Sequence, residues 1–178
     1  MVSLTFKPPD PLIADTMSHV IGILVRSGFD VSVKPHPKGL PFGEHFHLGV
    51  QTIDGAFDPI QIDADCYVFD FAGSAFFDAL ASEKGVLLID TSARQWDDNG
   101  LDDLKARCEV IKAQPDEFNR MRVDESELIG AVERAIQRRE CPEWFARKYF
   151  FPEDKLLDTS TRPLSMSTPA QVEHRRNE

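Results

Sequence analysis

The chain has 178 residues, 42% of them hydrophobic and 28% charged, which excludes a disordered polypeptide and fits one domain with its own core. Thirty acidic residues against 20 Lys+Arg give a formal charge of -10, so the basic footprint of sequence-independent nucleic-acid binding is missing and no nucleic-acid partner is expected. No apolar run approaches the roughly 20 residues needed to span a bilayer, and Met1 to Asp10 lack the basic segment and apolar core of a signal peptide, so a cytoplasmic chain with no transmembrane segment is expected.

In chain order, Val2 to Phe6 reads as a short strand, ended by Lys7-Pro8-Pro9-Asp10. Ile13, Met17, Val20, Ile21, Leu24 and Val25 recur every three or four residues, one face of a helix that Gly28 is placed to stop. Phe29, Val31 and Val33 begin a strand that runs into Lys34-Pro35-His36-Pro37. Two prolines within three residues forbid further strand pairing, so this tetrad is a loop at a strand's carboxyl end. Between Lys38 and Asp65, Phe46, Leu48 and Val50 alternate and Ile53, Ile60 and Ile62 follow, which fits one or two short strands or a helical turn.

Cys66-Tyr67-Val68-Phe69-Asp70-Phe71 reads as a buried strand. Ala72-Gly73-Ser74 turns out of it, with Ser74 as the cap of a helix from Ala75 to about Glu83 and Gly85 as its end. Val86 to Ile89 is the next strand, Leu101 to Arg107 a short helix, and Glu109 to Ile111 a brief strand. Asp124 and Glu127 have capping-box spacing before a helix whose apolar face is Leu128, Ile129, Val132, Ala135 and Ile136. Pro142 to Phe150 reads as a small terminal helix that packs aromatic side chains.

Strands and helices alternate, and the strands are uniformly apolar, as when helices cover both faces of a parallel sheet. The expected fold is α/β: a three-layer Rossmann-like domain with a mostly parallel sheet over residues 1–157, followed by a polar tail over 158–178. Cys66, Cys108 and Cys141 form no metal-type pair and no disulfide framework, and the first two read as small hydrophobes beside strands.

In such a sheet, ligands bind outside the carboxyl ends of the strands. Two segments fall there. Lys34-Pro35-His36-Pro37 would hold an ammonium and an imidazole against an anion. Asp70-Phe71-Ala72-Gly73-Ser74-Ala75 offers a glycine, a hydroxyl and helix-start N–H groups, the makings of a phosphate cradle, although a Gly-Ser turn also serves as a plain cap. Asp90, Thr91 and Arg94 follow another strand end, where Arg94 could meet a phosphate or a sugar carboxylate and Trp96 could stack on a base or merely shield the loop. His45 and His47 share a face if extended, but no third or fourth ligand is spaced to complete a zinc site, so no metal is assigned.

The tetrad at residues 34–37, followed some 35 residues on by Asp70-x-x-x-Ser74, resembles the nucleotide-binding carboxyl-terminal half of GT-B glycosyltransferases. The nearest likeness is to the bacterial capsule and teichoic-acid group: sialyl-, Kdo- and glycerophospho-transferases that use cytidylyl donors. The resemblance covers roughly residues 10–92 and a final helix at 124–139. His36-Pro37 matches the group's His-Pro motif and Ser74 one serine of its Ser-Ser or Ser-Thr motif, while Gly73 departs from it. The resemblance implies His36 as the catalytic, charge-neutralising group, with Lys34, His36, Gly73, Ser74 and Ala75 at the donor phosphate. Base, ribose or sugar contacts would come from Asp70, Asp78, Asp90, Thr91 and Arg94. It implies no separate cofactor, a nucleotide-activated donor as substrate, and a partner chain or homodimer supplying the second lobe. Two alternatives stay open: a non-enzymatic phosphate- or nucleotide-binding regulatory or assembly subunit, and the half-domain of a UDP-sugar epimerase.

Overall fold

The computed structural model describes residues 1–5, 11–35, 49–92 and 95–151. His36, Pro37, His45, His47 and Arg94 lie outside the described residues, as does the tail from Asp158. Among the described residues, six strands form one sheet: β1 (Val2–Thr5), β2 (Val31–Lys34), β3 (Gln51–Thr52), β4 (Cys66–Phe69), β5 (Gly85–Asp90) and β6 (Glu109–Lys112). Their order is β3-β2-β1-β4-β5-β6 and every pair is parallel. Helices α1 (Pro11–Arg26), α2 (Ser74–Leu80), α3 (Asp98–Arg107), α4 (Glu125–Gln137) and α5 (Glu143–Tyr149) flank the sheet. The domain is Rossmann-like and three-layered.

Alternation along the strands divides the core in two. Val31 and Val33, Cys66 and Val68, Leu87 and Ile89 join Met17, Val20, Ile21, Ile23 and Leu24 of α1 and Leu128, Ala131, Val132 and Ala135 of α4. Tyr67 and Phe69, Val86 and Leu88 face the other way, onto Phe76, Ala79 and Leu80 of α2, Leu104 of α3 and Phe145 of α5. Each fully buried Leu, Ile or Phe contributes roughly 1.5–3 kcal/mol relative to exposure, so both layers are held chiefly by apolar burial.

Helix ends follow local chemistry. Gly28 adopts φ +84° after α1, a conformation in which a side chain would be strained. The Asp97 carboxylate accepts the Gly100 N–H at 3.0 Å to start α3, and Asp124 accepts the Glu127 N–H at 2.9 Å to start α4. Arg134 and Arg138 both pair with Glu109 at 3.0 Å, and Arg139 pairs with Asp65 at 2.9 Å, so this basic run is spent on intramolecular ion pairs.

The structure departs from the sequence expectations in several places, and β4 stops at Phe69, short of Phe71. Phe29 precedes β2 and packs against the core from outside the strand. The cap of α2 is Gly73 and no side chain bonds its first N–H groups; Ser74 is the first helical residue and is exposed. Helix α2 ends at Leu80, short of Glu83, because the chain turns there toward β5. Gly85 does not close that helix but opens β5, where a Cβ would stand 2.5 Å from the Ala135 carbonyl oxygen of α4. A small antiparallel pair, β7 (Gln114–Pro115) with β8 (Met121–Arg122), has no counterpart in the sequence reading.

Candidate functional site

The strand order reverses at β1: β2 and β3 lie on one side, β4, β5 and β6 on the other. In an open parallel sheet such a reversal splays the connecting loops apart and leaves a crevice at the carboxyl ends of the two central strands. Here those strands are β1 and β4, and the turn Asp70-Phe71-Ala72-Gly73 leaves β4 at that point to enter α2. Sequence chemistry and topology therefore meet at one edge. Register places Lys34 at the end of β2 beside Thr5 of β1, and Thr5 in turn beside Phe69 of β4. Asp90 ends β5 opposite Lys112 of β6.

Between the β4–α2 and β5–α3 connections lies a small crevice of about 10 Å³, lined by Asp70, Phe71, Ala72, Leu88, Ile89, Asp90, Thr91 and Trp96. It brings together four residues singled out from the sequence, Asp70, Asp90, Thr91 and Trp96. Asp70 is 7% exposed. The Asp90 carboxylate accepts the Ser92 N–H at 2.9 Å, and Ser92 itself sits at φ +59°, so the loop after β5 is locked in a conformation that few side chains adopt. Two carboxylates make the crevice an acceptor of hydroxyl or amino donors rather than a seat for an anion.

Cationic character lies on the other side of β1. Lys34 is 3% exposed and its ammonium donates to the Pro35 carbonyl oxygen at 2.9 Å. Burial pushes its pKa below the ordinary lysine value, and the Asp54 carboxylate opposes that shift. Asp54 lies in the connection after β3, which shows no periodicity to reveal it.

Gly73, Ser74, Ala75 and Asp78 do not line the crevice. Gly73 has φ -98°, open to any residue, and a Cβ there would meet only the Phe71 ring at 3.4 Å. Its value to a ligand would be room above the backbone, not backbone freedom. Asp78 is exposed on α2. Phe71 and Ala72 lie within the segment singled out from the sequence, whereas Leu88 and Ile89 were missed as walls of the crevice, because apolar residues at a strand end look the same whether they face a core or a cleft.

Among the described residues no three His, Cys, Asp or Glu side chains gather to hold a metal ion. No described helix is long and apolar enough to cross a membrane. No protein-family profile matches the chain, and no curated protein resembles it. Among solved structures the chain is similar to one described as "Structure of MT0777", with a TM-score of 0.46 and 14% identity over 78% of this chain and 97% of that one.

Proposed function

We propose that this domain binds a nucleotide-activated donor, a cytidylyl donor by preference, along the carboxyl edge of its sheet, as the donor half of a GT-B-like glycosyl- or glycerophospho-transferase. The observation that carries the reading is the order reversal at β1, which puts the Asp70-to-Ala75 turn at the point where open α/β sheets take ligands. Polarity along the edge suits the two ends of such a donor. Asp70, Asp90 and Thr91 offer acceptors to ribose or sugar hydroxyls, with Arg94 and Asp78 on the flanking segments. Lys34 and His36, with the Ser74 hydroxyl and the Ser74 and Ala75 N–H groups, offer donors to the phosphates.

In transfer, negative charge grows on the departing phosphate. His36, as its imidazolium, would neutralise that charge, and fixed donors aimed at developing charge can be the largest catalytic contribution. The acceptor hydroxyl would need a base from a second lobe, either a partner chain or a second copy. No metal or further cofactor is needed for this scheme.

Thermal-shift titration with CMP, CDP, UMP and UDP tests it, alongside His36→Ala and Ser74→Ala proteins. A ligand that binds only the folded chain raises its melting temperature, by a stabilisation of about 2.7 kcal/mol at a hundredfold excess over Kd. The expected result is a shift with cytidine nucleotides that His36→Ala abolishes and Ser74→Ala reduces. No shift with any of the four defeats the reading. A shift without turnover when a second lobe is supplied would mark a binding subunit instead of an enzyme.

A further inference from the structure

Alternation along β1 and β2 sets a polar floor into one face of an otherwise apolar sheet. Val2, Val31 and Val33 point into the layer under α1 and α4, so Ser3, Ser32 and Lys34 point to the opposite face, beside Tyr67 of β4. Ser3 and Ser32 are neighbours in register, on strands about 4.8 Å apart. They are 0% and 1% exposed, and among the described residues neither hydroxyl has a hydrogen-bond partner. The buried Lys34 ammonium spends one N–H on the Pro35 carbonyl oxygen, and the Asp54 carboxylate acts on its charge. Unused buried donors cost a fold stability, so two of them beside a buried cation call for a reason. What crosses this floor is not a helix. The connection over residues 53–65 leaves β3 where the Ile53 N–H donates to the Val33 carbonyl oxygen at 2.8 Å. It reaches β4 past the Tyr67 hydroxyl, which lies 3.1 Å from the Pro59 carbonyl oxygen and 2.7 Å from that of Ile62. Because β2 and β1 stand between β3 and β4, the connection has to pass over both. It is held there by Phe57, edge-on to Tyr67 and Phe69, and by Ile53 and Ile62, while Asp54, Gly55, Ala56, Ile60 and Gln61 are exposed.

We propose that Ser3, Ser32 and Lys34 form the floor of a phosphate-binding pocket, and that the connection over residues 53–65 is a strap that lifts to admit the phosphate and closes over it. Every free group on the floor is a donor: two hydroxyls and the two remaining ammonium N–H groups. A phosphate has oxygens enough to accept from all of them at once, and its negative charge offsets that of the buried cation. Lifting the strap breaks few bonds, chiefly those of the Tyr67 hydroxyl and the edge-on contacts of Phe57, so the segment belongs to the low-stability end of the fold from which binding loops are drawn. The proposal rests on the donor reading in so far as that reading brings a phosphate to Lys34. It adds, to the phosphate position at the start of α2, a second one under the strap.

Inorganic phosphate is the probe for the pocket and CMP the probe for the donor reading. Melting temperatures are measured with and without each for the full chain, for the double variant Ser3→Ala/Ser32→Ala and for Lys34→Met. Phosphate stabilises folded proteins generally by exclusion from their surfaces, so the difference between parent and variant is what reports the site. Without phosphate the double variant is expected to melt no lower than the parent, because it loses two hydroxyls and no hydrogen bond. With phosphate the parent should gain more than either variant, and amide hydrogen exchange over residues 53–65 should slow in the parent but not in the double variant. An equal response to phosphate in parent and double variant overturns the pocket. A double variant that melts lower than the parent without phosphate, or does not fold, overturns it too, since the hydroxyls would then be holding the fold. A phosphate response confined to the parent, with no response to CMP, keeps the pocket and defeats the donor reading. A CMP response alongside equal phosphate responses does the reverse.

Discussion

Single residues show most plainly where composition-level reading stops. Gly73 and Gly85 look alike in the sequence, each beside an apolar run, yet they answer to different constraints. Gly85 is fixed by close approach: a methyl group there would be 2.5 Å from the Ala135 carbonyl oxygen and 3.0 Å from the Ile136 nitrogen, both backbone atoms that cannot swing aside. Gly73 has room, with only a ring edge at 3.4 Å. Gly85→Ala is therefore expected to cost about 1–3 kcal/mol, the usual penalty of overpacking a close contact. Gly73→Ala should stay within about 0.5 kcal/mol of the parent. Urea unfolding of both proteins checks this, and equal midpoints would refute the contact seen at Gly85. If Gly73→Ala also weakens nucleotide binding, the loss arises at the ligand, because the fold is untouched. Ser74 gives the complementary lesson. Its side chain has the right chemistry for a cap, but the helix begins one residue earlier than a Ser cap requires, which leaves its hydroxyl exposed.

At the scale of elements, legibility followed periodicity. Helix α1 buries Met17, Val20, Ile21 and Leu24 of its repeat but leaves Val25 exposed, α4 buries Leu128, Val132 and Ala135 of its own, and β4 and β5 bury nearly all of their residues, so each was readable to within a few residues. The α2 C-terminus was not, because what finishes it is Arg107, 27 residues past Leu80 in the chain, and nothing local to the helix signals a donor from so far away. The β7–β8 pair was missed for a related reason: its strands are two residues each and it is held by charge. There Asp116 receives N–H donors from Phe118 and Arg120 at 2.9 Å and pairs with the Arg120 guanidinium at 2.8 Å. Arg122, in turn, pairs with Asp15 of α1 at 2.6 Å, tying the hairpin to the domain. Desolvation pushes the Asp116 carboxyl up, but those hydrogen bonds and the adjacent guanidinium outweigh it and bring it down to about 2 from 3.8. A carboxyl lower in the folded chain than in the unfolded one stabilises the fold at pH values above 3.8, and that stabilisation is lost as pH falls toward about 2. Asp116→Asn should therefore be less stable than the parent near neutrality and show a shallower loss of stability across that acid window. Urea midpoints measured through the window test it, and parallel pH profiles for the two proteins would refute it.

For the whole molecule, alternation of strands and helices was enough to indicate a three-layer α/β domain, but not the strand order on which the candidate site depends. Order is a property of long-range pairing. Val2 meets both Val31 and Cys66, and no local pattern in β1 announces that it will be central. Once the order is known, the scattered polar residues at positions 34, 70 and 90 acquire a common edge, which is why the carboxyl-edge reading gains force from topology rather than from any single motif. The same view of the molecule bears on where the folding unit ends. One sheet face is covered by α1 and α4 and the other by α2, α3 and α5, and among the described residues the last contributors to the second cluster are Phe145, 1% exposed, and Phe150, packed at its margin. The described residues of both apolar layers all precede the run of Ser, Thr, Pro and charged residues that begins at Asp158. Stability of a domain comes from its buried apolar surface, and a terminal segment whose composition is mostly polar and charged is expected to contribute little to it. A chain ended at Leu157 is accordingly expected to melt within about 2 °C of the full chain, less than the shift of a 1 kcal/mol change in a domain of this size. A fall of several degrees would show that residues 158–178 complete a surface of the folded domain, and would move the boundary of that domain to the end of the chain.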